Sequence, residues 1–185
     1  MTKTRIKTLV ALVAVAAVSC LTGCGYTTRS MIAGKYRTVY ITPFKNKIDI
    51  TRETNNGTNY RIYRPALETD VTSAVVQKFL IDGNLKPVKE RDSADLVLEG
   101  DLTDFHKDAL RYDRNDNVQE YRVNVGVRLK ITDQAKGQVL WEEPSFTGYA
   151  SYFVSGAQAN SEAAAISDAI TDLSRRVVER TVDQW

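Results

Sequence analysis

The fold is decided by residues 121–132, which read YRVNVGVRLKIT. Successive side chains of a β-strand point to opposite faces, so a period of two identifies a strand that buries one face only. The pattern holds over the whole stretch and predicts a long strand whose polar face contacts water or a partner. The apolar positions are Tyr121, Val123, Val125, Val127, Leu129 and Ile131.

Strand patterns flank this stretch on both sides. Residues 94–105 predict a preceding strand, and residues 106–118 are interpreted as a polar loop between the two. On the other side, Lys136 and Gly137 predict a hairpin turn. The strand that follows it carries Val139, Trp141, Phe146, Tyr149 and Tyr152.

Two helices and an early strand complete the pattern. Residues 38–44 predict a first strand ended by Pro43. Pro65 suits the first turn of a helix, and Gly83 suits its left-handed cap. Apolar residues recur at helical spacing in this segment and again after Ser161. They are Leu67, Val71, Ala74, Val75 and Phe79, then Ile166, Ala169, Ile170, Leu173, Val177 and Val178.

This order of elements predicts an α+β fold. Two helices are expected to pack on one face of a largely antiparallel sheet of four to five strands. The polar stretch of residues 46–64 is expected to be a surface loop or a mobile insertion.

The N-terminus has the composition of an export signal. Lys3, Arg5 and Lys7 precede an apolar run over residues 9–18, which is shorter than the roughly 20 residues that a spanning helix needs. Residues 21–24 read LTGC and resemble the bacterial lipobox. That resemblance implies a diacylglyceryl group on the Cys24 thiol and cleavage just before it. The alternatives are an ordinary secreted protein with a chance cysteine, or an uncleaved anchor.

The predicted domains are therefore a signal peptide (1–23), a lipidated tether (24–35) and a single α+β domain (36–185). Removing Lys3, Arg5 and Lys7 leaves 22 basic against 23 acidic residues, a net charge of −1. This balance gives no basic excess to attract nucleic acid. Gly25 follows the cysteine where, by resemblance to enteric sorting rules, Asp would favour the inner membrane. The expected location is the periplasmic side of the outer membrane.

Residues suited to catalysis or to cofactors are sparse. His106 is the single histidine, and Cys24 is committed to lipid, so we predict no metal site. Acidic pairs such as Glu142 and Glu143 could in principle perform acid–base chemistry, but such neighbours are more typical of a solvated strand. Isolated glycines form no phosphate-binding loop. We predict a protein that is not an enzyme and needs no cofactor.

In order and spacing, these segments resemble the lipopolysaccharide-assembly lipoprotein family LptE. The resemblance starts at Cys24-Gly25-Tyr26 and the strand near 39–44. It continues through the helix at 67–80, the strand ADLVLEG at 94–100, EYRV at 120–123, the strand at 141–152 and the terminal helix. It implies a plug inside a large outer-membrane β-barrel, LptD, which it helps to assemble, and a role in delivering lipopolysaccharide to the outer leaflet.

The resemblance also implies a contact with the phosphates of lipopolysaccharide. Arg114 is the residue at the matching position, with Lys107 and Arg111 nearby. A second basic position is expected ahead of the terminal helix, but residues 157–160 read AQAN. The aromatic residues of the last strand are candidates for either an interface or the core. The alternative function is a periplasmic lipid-anchored binding or scaffold protein of another envelope system.

Overall fold

The computed structural model describes residues 35–49, 59–61 and 64–182. The predicted signal peptide, Cys24 and residues 24–34 of the tether lie outside them, as do residues 50–58 of the polar stretch. The strands are β1 (Thr38–Ile41), β2 (Lys45–Asn46), β3 (Asn59–Arg61), β4 (Lys86–Pro87), β5 (Leu96–Tyr112), β6 (Val118–Asp133) and β7 (Gln138–Phe153). The helices are α1 (Leu67–Asp82) and α2 (Glu162–Val182), and Arg91–Ser93 form a 3-10 turn.

One mixed sheet organises the described residues. Its main path runs β4-β1-β5-β6-β7, and the short strands β2 and β3 also pair with β5. The three long strands β5, β6 and β7 form an antiparallel meander. Strand β1 is parallel to β4 and β5. Helix α1 lies in the connection after β1 and returns the chain to the end of the sheet at which β1 began. The predicted α+β architecture is confirmed.

The core lies between one sheet face and the two helices. Val123, Val125, Val127 and Leu129 have no exposed surface, as the alternation predicted. Burying each side chain of this size stabilises the fold by roughly 1.5–3 kcal/mol. The helices supply the opposite wall through Leu67, Val71, Val75 and Phe79 of α1 and Ile166, Ala169, Ile170, Leu173, Val177 and Val178 of α2. The predicted cap is also confirmed, since Gly83 has a φ of 78° and its N–H bonds to the Phe79 carbonyl.

Two glycines allow close packing on this face. A Cβ at Gly148 of β7 would lie 2.5 Å from the Leu173 backbone, so α2 contacts the strand directly there. A Cβ at Gly100 of β5 would lie 2.3 Å from the Phe44 ring. Glycine is therefore needed at Gly148, where the α2 backbone leaves no room, whereas a larger residue at Gly100 would have to displace the Phe44 ring.

Three predicted boundaries are wrong. Strand β5 does not end at residue 105: it pairs with β6 as far as Tyr112, opposite Val118, and only residues 113–117 form a turn. Residues 106–109 are only partly buried and residues 110–112 are exposed, so no alternating apolar pattern marks this part of the strand. The first strand ends at Ile41, ahead of Pro43, and pairing resumes at β2. Residues 59–61, expected in a loop, pair with β5.

Candidate functional site

The sheet face opposite the helices is the main candidate for a binding surface. We call it the open face and define it by the side chains that alternate with the buried ones. The opposite face is covered by the helices, since Gly148 of β7 packs on Leu173 of α2 and Trp141 lies under Arg180 of α2. The open face consists of Glu99, Asp101, Asp104, His106 and Asp108 on β5, Arg122, Asn124, Arg128 and Lys130 on β6, and Glu142 and Tyr149 on β7.

Ion pairs link β5 to β6 around Glu99 and Asp101 on the open face. The Lys130 ammonium lies 2.6 Å from a Glu99 carboxylate oxygen, and its hydrogen bond lowers the pKa of Glu99. Arg91 approaches the same carboxylate at 3.9 Å, and Arg128 lies 4.0 Å from Asp101. These groups line an open cleft of about 670 Å³ together with Phe44 and Glu142. Exposed pairs of this kind add little to stability, so the charges serve mainly to shape a polar surface.

His106 lies between two carboxylates on the open face. Its Nδ1 is 2.8 Å from Asp104 and its Nε2 is 3.5 Å from Asp108, while Asn124 donates to Asp108 at 2.9 Å. The hydrogen bond to Asp104 raises the pKa of His106. The sequence-based interpretation of His106 as an exposed loop residue is wrong, since it lies within β5 and its side chain is only 18% exposed. Its two nitrogens point to different carboxylates, so the three side chains form a charge cluster.

This geometry predicts a pH-dependent contribution to stability. A raised folded-state pKa means that charged His106 stabilises the fold fully below its unfolded pKa, near 6.5, and loses that effect as the pH rises through the folded pKa. Urea unfolding should show His106→Asn destabilised relative to wild type at pH 5.5 and much less so at pH 9. The same difference at both pH values would rule out the charge cluster as its cause.

Arg114 lies at the tip of the β5–β6 hairpin. The turn is held by Asp113, which accepts hydrogen bonds from the backbone N–H groups of Asn115 at 2.7 Å and Asn117 at 2.9 Å. The Asp113 carboxylate is therefore engaged by the turn itself. Arg114 is exposed and lines a shallow depression of about 550 Å³ with Tyr112 and Gln119. Among the described residues it forms no ion pair.

The neighbouring cations are already engaged. Lys107 forms an ion pair with Glu162 at the start of α2 and lies 4.9 Å from the centre of the Tyr121 ring. Arg111 lies 3.6 Å from Glu120 and 5.6 Å from the Phe153 ring centre. Of the three basic candidates, the structure therefore leaves Arg114 available to a ligand.

The segment that lacks the second expected basic residue lies at the same end of the sheet. The Val154 N–H bonds to the Gln119 carbonyl, and Ala159 bridges to Phe153. Residues 154–160 are exposed and contain no basic side chain. The structure thus brings Arg114 near this segment. The segment can offer backbone and side-chain amides to a phosphate, but it has no second positive charge.

The aromatic candidates separate into two environments. Tyr152 belongs to the core, where it stacks on Tyr121 and donates to Glu162 at 3.0 Å. Phe146 contacts α2. Tyr149 is 49% exposed on the open face, with the Arg122 guanidinium 5.1 Å from its ring centre. Only Tyr149 of these three is placed to contact a partner on the open face.

Other chemistry is not assembled among the described residues. Glu142 and Glu143 lie on different sides of β7, and Glu143 forms an ion pair with Arg180 at 2.7 Å. Over the described ranges, no three acidic, histidine or cysteine side chains converge as metal ligands. Neither of the described helices has both the length and the apolar character to cross a bilayer.

These features define a class: a small α+β domain with helices on one side of its sheet, an open, charged surface on the other side and an exposed arginine at its tip. The chain belongs to the lipopolysaccharide-assembly family LptE, whose model matches residues 36–181. No curated protein matches it.

Solved structures share the fold at low sequence identity. Protein XCC0632 from Xanthomonas campestris superposes with a TM-score of 0.53 and 17% identity, covering 79% of this chain and 84% of that one. The uncharacterized lipoprotein B from Nitrosomonas europaea gives a TM-score of 0.50 and 15% identity, covering 80% and 81%. At these identities the likeness concerns the fold alone.

Proposed function

We propose that this chain is a lipoprotein of the outer membrane, anchored on the periplasmic side through lipid on Cys24. The lipobox at residues 21–24 and membership of a lipopolysaccharide-assembly family support this assignment. The acyl chains would stabilise anchoring by about 0.8 kcal/mol per buried methylene. A non-catalytic role agrees with the separation of Glu142 from Glu143.

The domain would plug a large β-barrel of the LptD type and assist its assembly. The observation that carries this proposal is the open face in a chain of the LptE family. A barrel lumen is lined by polar side chains, which the mixed charges of this face can meet. Arg122 and Tyr149 are residue types that dominate interface energies, and the buried Arg122 Nε has no hydrogen-bond partner among the described residues.

Purification from mild detergent tests the barrel partner. A tagged copy of the full chain should recover one large β-barrel protein in comparable amount. An Arg122→Glu, Tyr149→Ala variant should recover much less of it, whereas Arg175→Glu on the outer side of α2 should not. Recovery of the lipoprotein alone, with normal surface lipopolysaccharide after its depletion, would contradict the proposal. Recovery of a soluble envelope protein instead would favour the scaffold alternative.

Arg114 would contact lipopolysaccharide during its delivery. A guanidinium donates two parallel hydrogen bonds to a phosphate, and Arg114 is exposed and unpaired within the described ranges. With a single cation at this end, the contribution is expected to be moderate.

The substitution Arg114→Glu should weaken lipopolysaccharide binding about tenfold, since a charged hydrogen-bonded contact is worth roughly 1.5–3 kcal/mol. Binding of labelled lipopolysaccharide to the purified full chain measures this effect. Lys47→Glu, which makes the same charge change at an exposed position beside the middle of β5, is the control. Equal affinity of wild type and Arg114→Glu would remove the residue from the site.

A further inference from the structure

One end of the domain gathers the start of the described chain, β4 and the β6–β7 turn. We call it the tether end because residue 35 lies there. The Lys86 N–H bonds to the Arg37 carbonyl at 2.8 Å. The Asp95 carboxylate accepts from the Arg37 N–H at 2.7 Å, and the Asp95 carbonyl accepts from Gln134 at 2.9 Å. These bonds hold the three segments together.

An exposed apolar pair lies at this end. Leu80 is 60% exposed and Ile81 is 77% exposed, in the last turn of α1. Phe79, the last core residue of the helix, points inward, so the next two side chains point away from the core. Ile81 precedes Lys86 by five residues, which keeps it within about 18 Å of the β1–β4 pairing. One exposed leucine is unremarkable in a protein, but this pair coincides with a second feature.

Unpaired cations lie at the same end of the domain as this pair. Arg37, Lys86, Lys89 and Lys136 are exposed and form no ion pair among the described residues. On the open face, by contrast, Arg91, Arg128 and Lys130 each have an acidic partner within 4.0 Å, and Arg122 lies over the Tyr149 ring. The exposed charged residues of the tether end are Lys35, Arg37, Lys86, Lys89, Arg91 and Lys136 against Asp82, Glu90 and Asp92, an excess of three positive charges.

We propose that the tether end rests on an anionic lipid surface, with Leu80 and Ile81 inserted and the lysines against the headgroup phosphates. Apolar side chains ringed by lysine and arginine are the composition of an interfacial membrane contact. The inference rests on the proposed anchor at Cys24. Residues 25–34 can span at most about 35 Å, so an acylated Cys24 would keep this end close to the bilayer.

A fluorescent probe on the mature, acylated chain tests this contact. With Cys24 acylated, Ile81→Cys supplies a single thiol for an environment-sensitive label such as NBD. Leu110→Cys, 40% exposed near the opposite end of β5, is the matched control. Both proteins are incorporated into vesicles of phosphatidylglycerol or phosphatidylcholine, and flotation reports anchoring separately. The label at position 81 should shift to the blue and be quenched by lipid-borne quenchers, more strongly with phosphatidylglycerol, while the label at position 110 should not.

Four results would contradict the inference. A floating protein whose label at 81 behaves like the label at 110 would refute the contact and leave the anchor intact. A blue shift at 81 without vesicles would show that a second copy of the chain covers the pair. A protein that fails to float would refute both the anchor and the contact. Equal responses in the two lipids would remove the lysines from the contact.

Discussion

Replacing Cys24 with alanine should release the protein from the membrane or leave it as an unprocessed precursor. The proposed anchor depends on one thiol, because two or more acyl chains on it provide the stable attachment. Fractionation should find the wild type in the outer membrane. The variant should be in the periplasmic extract or retain residues 1–23. The expected change is a nearly complete redistribution.

Cys20→Ala is the matched control for this prediction. Cys20 lies in the predicted signal peptide, so its loss should change neither processing nor location. A Cys24→Ala protein that remains firmly in the membrane and is processed normally would contradict the anchor. Loss of membrane attachment in both variants would point to a general defect in export.

A valine at Gly148 should destabilise the domain by about 3 kcal/mol, at the upper end of the cost of overpacking a core. The new Cβ would lie 2.4 Å from the Leu173 Cβ and 2.5 Å from its Cα and backbone nitrogen. Rotation of a side chain cannot relieve a contact with backbone, so α2 would have to move away from β7. Urea unfolding measures the loss.

Ser151→Val on the same strand is the control for Gly148→Val. Ser151 is exposed and lies three positions further along β7. Valine favours strands, so this change should alter stability by less than about 1 kcal/mol. A Gly148→Val protein as stable as the wild type would show that α2 does not pack closely on the strand.

The parts of the fold that could be predicted are those where burial imposes a period. Strand β6 has one face in the core over most of its length, so its alternation stands out in the sequence. Both helices have continuous apolar stripes and were also predicted. The second half of β5 was not predicted from the sequence. Residues 106–112 are held by backbone pairing with β6, which leaves no apolar pattern. β3, with three residues, was missed because pairing of so short a segment depends on its partner strand.

The candidate site likewise contains features that burial made predictable and features that depend on contacts between elements. The polar face of β6 could be predicted, because it is the complement of the buried face. The cluster around His106 was missed because residues 104, 106 and 108 share a face only if β5 continues through them. The position of Arg114 in a turn was predicted, but its availability depends on where Lys107 and Arg111 find partners. Those partners, Glu162 and Glu120, come from other elements.

Crosslinking in living cells tests the central claim most directly, that the open face of an anchored domain meets a barrel. A photoreactive phenylalanine analogue would replace Tyr149, whose exposed ring lies on that face. Irradiation should join the protein to one large outer-membrane protein whose electrophoretic mobility changes on heating, as folded β-barrels do. Failure to form any adduct in correctly localised protein, or an adduct only with a soluble envelope protein, would contradict the account.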